Sequence, residues 1–228
     1  QDFFLNRADA AYRAMLDGIR RFKDREIFPG PWVVVNAWAI FDRRSEWPAG
    51  DYTNNPAHAF HALIEEAASA GIDVVFAAGN CGQYCPSERC GPRDRGPGNS
   101  ILGANSYSSV LTVGAVRADT MWLGYSSQGP GQSMLETAKP DLCAPSQFRE
   151  DQDAYTINTG TSTSAALAAG VVAALRSNWD SSQVSPQELR DILNRTARPA
   201  GGTGSDNRLG SGVLDAARAY DELKSKFP

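Results

Sequence analysis

A serine in the stretch Asn158-Thr159-Gly160-Thr161-Ser162-Thr163-Ser164-Ala165-Ala166-Leu167-Ala168-Ala169-Gly170 stands where a nucleophile could be built. Gly160 can make a tight turn that a residue carrying a Cβ resists. The small residues that follow let a helix lie close against a sheet. The dipole at that helix's N-terminus favours the negative charge that acyl transfer develops beside the Ser162 hydroxyl. Taken alone, the same stretch also reads as a Ser/Thr-rich cap before a buried Ala/Val helix. A serine hydroxyl needs a base before it attacks a carbonyl. The chain offers two histidines, His58 and His61, three residues apart on adjoining parts of one helix face. With Phe60, Leu63 and Ile64 as neighbours, both read as surface or half-buried helix residues rather than bases.

The remaining reactive side chains are four cysteines, Cys81, Cys85, Cys90 and Cys143, an even set that allows three pairings. Their spacing leaves a disulfide, free thiols and a metal site open. Cys-x3-Cys-x4-Cys is loose for structural zinc, and Cys143 lies far off in sequence. A disulfide would place the chain outside the cytoplasm.

These residues must be positioned by an alternation of helices and strands. Leu5, Ala8, Tyr12, Met15, Leu16, Ile19 and Phe22 recur at helical steps, which predicts an amphipathic helix over 3–23 that Pro29-Gly30-Pro31 ends. The nearly continuous apolar run Trp32–Phe41 predicts a strand buried on both faces of a parallel sheet. Pro56, as first helical residue after Asn55, opens the next helix and Gly71 stops it. A strand over 73–78 completes a strand-helix-strand unit, whose crossover is right-handed. Functional groups in such sheets lie beyond the carboxyl ends of the strands, where Asn80 falls. A Gly/Pro/Ser-rich excursion over 81–109 precedes a strand over 110–116, and Ser162 opens a helix to about Asn178. The capping box Ser185-Pro186-Gln187-Glu188 predicts a helix over 186–196. Gly201-Gly202-Thr203-Gly204 reads as a flexible loop before a last helix over 214–226. The pattern is α/β, a three-layer sandwich around a mostly parallel central sheet, in a single domain of 228 residues.

Four motifs, taken in order, resemble the subtilases, the subtilisin-like serine proteases. Val74-Val75-Phe76-Ala77-Ala78-Gly79-Asn80 is similar to the strand and loop that carry the family's oxyanion-hole asparagine. Val110–Val116, Tyr125-Ser126-Ser127-Gln128-Gly129-Pro130 and Lys139-Pro140-Asp141-Leu142-Cys143-Ala144-Pro145 resemble the segments before the serine. Gly160-Thr161-Ser162, with Gly170 eight residues on, resembles the serine box, and Gly210–Ala217 the closing motif. The resemblance implies a serine endopeptidase with Ser162 as nucleophile and Asn80 as oxyanion donor, whose chemistry requires no cofactor. Substrate contacts would fall on Ala37, Trp38 and Ala39, on Ala77, Ala78 and Gly79, and on Gly160 and Thr161. Holding Cys81, directly after Asn80, would stiffen the oxyanion loop.

The resemblance also exposes gaps. Family order puts the triad's Asp and His upstream of the Val33–Ala37 strand, and nothing here matches the His-Gly box. Asp17-Gly18 lacks the strand that precedes the family's Asp-x-Gly. Two readings follow. Either the Asp and His come from an upstream segment or second chain, whose strands and helices would complete the sheet, or the scaffold works as a peptide- or protein-binding module. Retention of both Ser162 and Asn80 favours the first. Gln1 is not an initiator methionine, so it reads as a cut end or an artificial start. Ala37-Trp38-Ala39-Ile40 replaces the family's usual substrate-strand residues, so Trp38 and Ile40 would reshape the pocket for the residue before the scissile bond, or else bury in the core. Calcium is a recurrent stabiliser in the family. The loop acids Asp51, Asp94, Glu150, Asp151, Asp153 and Asp206 form no Asp-x-Asp-x-Asp-Gly spacing, so no site is named. A net charge of −4 leaves no basic footprint for nucleic acid, and no apolar run approaches a membrane span. The expected partner is a peptide or protein substrate.

Overall fold

Residues 72–77 explain how the layers form. Along this strand Ile72, Val74 and Phe76 face one way, Asp73, Val75 and Ala77 the other, and every one is buried. A strand apolar on both faces must be covered twice, and the computed structural model covers it with helices on each side. It describes residues 2–28, 30–46, 48, 51–149, 157–200 and 206–228. In chain order the elements are α1 (Asp2–Asp24), β1 (Trp32–Asn36), α2 (Ala59–Ser69), β2 (Ile72–Ala77), β3 (Leu111–Val116), β4 (Leu142–Pro145), α3 (Thr161–Arg176), α4 (Pro186–Thr196) and α5 (Ala216–Lys226). The four strands pair in parallel in the order β1-β2-β3-β4.

Ile72, Val74 and Phe76 join Leu16 and Ile19 of α1 and Phe60 and Ile64 of α2 in one core. Val75, Leu111, Val113 and Leu142 join Ala165, Ala168, Ala169, Val172 and Leu175 of α3 in the other, closed below by α4 and α5. The expected three-layer α/β sandwich is therefore the observed one. The alanines of α3 let its backbone approach the sheet. Gly170 has no such role, since a Cβ there would meet nothing within 4 Å.

Three expectations are corrected. The run Trp32–Phe41 is a strand only as far as Asn36, which pairs opposite Phe76, one residue from the end of β2. Beyond it the ladder has no partner, and Ala37–Phe41 leave the sheet. The helix expected at Pro56 begins at Ala59. Asn55 and Pro56 instead form a turn in which the Asn55 carboxamide accepts the Ala57 N–H. His58 caps the helix, its Nδ1 accepting the Phe60 N–H at 3.1 Å. Leu142–Pro145, read only as part of a motif, is the fourth strand. The helix after the capping box starts at Pro186 as expected, with Ser185 Oγ accepting the Glu188 N–H. The Gly201–Gly204 loop lies outside the described residues.

One buried ion pair joins the central strand to α3. Arg176 Nε donates to Asp73 Oδ2 at 2.6 Å, with the two side chains 1% and 8% exposed. The guanidinium also donates to the carbonyls of Trp179, Asp180 and Val184. Burial pushes the Asp73 carboxyl up, and the hydrogen bond to Arg176 pulls it back. Such a pair contributes little over an apolar replacement but is costly to halve. Arg176→Met should therefore lower the unfolding free energy by about 3–5 kcal/mol, read from urea denaturation. Asp73→Leu/Arg176→Met together should cost clearly less than Arg176→Met alone.

Candidate active site

The turn before Ser162 requires its glycine. Gly160 caps α3 with φ +99°, a conformation that L side chains rarely adopt. A closed set of hydrogen bonds fixes the turn. The Tyr125 hydroxyl accepts from the Gly160 N–H at 3.0 Å and from the Thr159 hydroxyl, and donates to Ser146 Oγ at 3.1 Å. Ser146 in turn donates to the Gly160 carbonyl. Ser162, half-buried, follows as the second residue of α3, so its N–H has no acceptor within the helix. Its hydroxyl donates to the Ala37 carbonyl at 3.1 Å.

Asn80 approaches the same point from the end of β2. Gly79 turns the chain at φ +104°, and a Cβ there would lie 2.9 Å from Ser127 Oγ. The Asn80 carboxamide has a defined orientation. Its Oδ1 accepts from both the N–H and the hydroxyl of Thr161, each at 3.0 Å, and the Thr161 hydroxyl accepts the Gly79 N–H at 3.1 Å. With Oδ1 committed to the helix start, the Nδ2 donor is the end left for the cleft. Thr161, 1% exposed, thus locks the two loops together.

Ser162 and Asn80 line a cleft of about 420 Å³. Ala37, Trp38, Ala39, Ala77, Gly79 and Thr161 line it, with Phe41, Asp42, Ser45 and Arg89. Of the expected contacts, Ala78 and Gly160 are not on its surface; both are buried behind it. Trp38 serves two ends. It stacks edge-on against Phe4 and Phe76 while lining the cleft, and its Nε1 donates to Asn36. Ile40 likewise lines the cleft from a core position. The roles of Tyr125 and Ser146 were missed, because no spacing in the sequence marks a hydroxyl that acts across a loop.

Neither histidine lines this cleft. His58 is the helix cap already described, and burial lowers its pKa. His61 packs on Tyr107, with Nδ1 at 2.7 Å from the Pro56 carbonyl and Nε2 at 3.3 Å from Glu65. Asp17 is an exposed residue of α1 paired with Arg20. Cys81 and Cys90 form a disulfide, Cys85 is free and exposed, and Cys143 is free and buried, its thiol pushed up by desolvation. Among the described residues no three His, Cys, Asp or Glu side chains gather as a metal site. Asp94 is instead paired with Arg43, and Asp206 accepts the N–H groups of Arg208 and Leu209. Glu150, Asp151 and Asp153 lie outside the described residues. No described helix is long and apolar enough to cross a membrane.

The chain is similar to known proteins in sequence and in fold. The sequence model of the subtilase family matches residues 26–212. Mycosin-1 of Mycobacterium tuberculosis is 30% identical over 162 residues, 65% of this chain and 36% of the relative. Subtilisin DY of Bacillus licheniformis is 28% identical, over 75% of this chain and 53% of its own length. The chain therefore spans little more than a third of the mycosin and about half of the subtilisin. The crystal structure of MycP1 with its N-terminal propeptide removed aligns at TM-score 0.51 and 27% identity, over 70% of this chain and 54% of that one. The patellamide maturation protease PatA aligns at TM-score 0.59 over 92% and 68% of the two chains; at 19% identity it bears on the fold alone.

The Thr161 hydroxyl ties both Gly79 and Asn80 to the start of α3. Thr161→Val leaves the buried Gly79 N–H without its acceptor and releases one of two bonds on Asn80, at a cost of about 1–3 kcal/mol. Thr161→Ser, which keeps both bonds, should stay within about 1 kcal/mol of the parent. Urea midpoints at unchanged slope check both.

Proposed function

Because the chain belongs to the subtilase family of serine peptidases, we propose that it is part of an endopeptidase domain that cleaves peptide bonds through an acyl-enzyme on Ser162. The observation that carries this reading is the convergence of Ser162 Oγ, the Ser162 N–H and the free end of the Asn80 carboxamide on one cleft. A carbonyl seated there is attacked by Ser162, and its developing oxyanion accepts from Asn80 Nδ2 and the Ser162 N–H. Both donors are fixed before the charge forms, so no reorganisation is needed at the moment of reaction. The dipole of α3 adds to the same stabilisation. Collapse expels the amine and leaves the acyl group on Ser162; water then releases it.

The histidine base and its aspartate belong, in this proposal, to an upstream segment or a second chain of the same precursor. The free edge of the sheet supports this. β1 is an end strand, and its Val35 is 45% exposed, whereas β2 and β3 are buried throughout. A hydrophobic edge in a parallel sheet invites a further strand. The Ser162 proton, now given to the Ala37 carbonyl, would turn to that base. The disulfide beside Asn80 supports a site of action outside the cytoplasm. Absence of a histidine from the described cleft favours a second reading, a subtilase scaffold that binds peptides without cutting them.

A fluorophosphonate probe separates the two. Labelling that needs the upstream region and disappears in Ser162→Ala supports the peptidase; no labelling in either form, with the fold intact, leaves the binding scaffold. In the labelled form, Asn80→Ala should lower kcat by about 100- to 1,000-fold with KM little changed, the loss found on removing the corresponding asparagine of a subtilisin.

A further inference from the structure

The lining of the cleft includes two ionisable side chains, Asp42 and Arg89, and their charges are not equally available. The Asp42 carboxylate accepts from the Arg44 N–H at 2.9 Å and from Nε and Nη2 of its guanidinium, so its charge is balanced on the spot. Arg43 is likewise engaged by Asp94, and Arg95 by the Cys90 carbonyl. Among the described residues Arg89 has neither an ion pair nor a side-chain hydrogen bond. Its guanidinium carbon rests 3.9 Å from the centre of the Phe41 ring, a contact that leaves the N–H donors uncommitted. Glu88, next along the loop, does not line the cleft.

The loop that carries Arg89 is tied to the reacting end of the cleft. Cys90, the next residue, is bonded to Cys81, which directly follows Asn80. On the other side of Arg89 the Ser87 N–H donates to the Asn80 carbonyl at 2.9 Å, and beyond the disulfide the Gly91 N–H donates to the Phe41 carbonyl at 2.8 Å. Arg89 is thus a cation held in register with Asn80 on the lining of the cleft that Ser162 shares, open to a side chain of the bound peptide.

We propose that Arg89 makes the cleft select an acidic side chain, glutamate or aspartate, at the residue before the scissile bond. This rests on the reading that Ser162 and Asn80 face a peptide, and it deepens that reading by naming the substrate class. A carboxylate accepts two parallel N–H bonds from a guanidinium, which an amide or an ammonium cannot reproduce.

Binding tests this without any need for the base. Fluorescent acetyl-Ala-Ala-Ala-X amides, with X glutamate, glutamine or lysine, are titrated into the chain and followed by anisotropy. The glutamate peptide should bind about 10- to 100-fold more tightly than the glutamine peptide, with an advantage that shrinks as salt rises. Arg89→Gln should abolish the difference and Arg89→Glu should turn it toward lysine, each with the parent's thermal unfolding. Equal affinities, no measurable binding, a lysine preference in the parent, or a glutamate preference that survives Arg89→Gln would each overturn the proposal. Probe labelling of Ser162 reports separately on the peptidase reading. Acidic selection without labelling condemns only the chemistry, and labelling without acidic selection condemns only Arg89.

Discussion

The rest of the molecule depends on one packing constraint, the passage of α3 beneath the whole sheet. Its alanine face touches β1, β2, β3 and β4 alike, and the ion pair of Arg176 with Asp73 anchors its far end. A helix so placed has little freedom to slide, because native packing density penalises both gaps and overlap. Its first turn therefore arrives at the carboxyl ends of β1 and β2, where Ala37 and Asn80 wait. The position of Ser162 is a consequence of core packing several turns away.

Polar groups then fix what packing leaves loose. Thr161 links the start of α3 to Gly79 and Asn80, Tyr125 and Ser146 hold the backbone of Gly160, and the Cys81–Cys90 disulfide closes the loop on the other side of Asn80. The bonds of Thr161 and Tyr125 join residues distant in sequence. Together they leave a donor, a hydroxyl and a helix terminus converging on one point without a histidine beside them.

Much of this could be read from the chain, for reasons specific to particular residues. Ser162 and Asn80 stand in segments whose local composition, Gly160 and Gly79 before them and alanines around them, is dictated by tight turns and close packing. The helix after Ser185 was legible because capping is a local matter. Trp32–Phe41 was overextended as a strand, since an apolar run looks the same whether it pairs in a sheet or walls a cleft. Pro56 signalled a turn as readily as a helix start, and the His58 ring took the capping role that hydroxyls and carboxamides usually fill. Tyr125 and Arg89 act across loops, and the cysteine pairing is set by proximity in space. None of the three leaves a periodic trace.

The order of the strands has a consequence for how the molecule comes into being. Chain order and sheet order coincide, so each strand can join beside the one made just before it, and no later strand has to be inserted between earlier ones. The helix that covers Val75, Leu111, Val113 and Leu142 comes only after the last of them. Until it docks, the unfinished chain bears an open apolar sheet, prone to association, but has no serine in place. Burial of that face and placement of Ser162 are thus a single event.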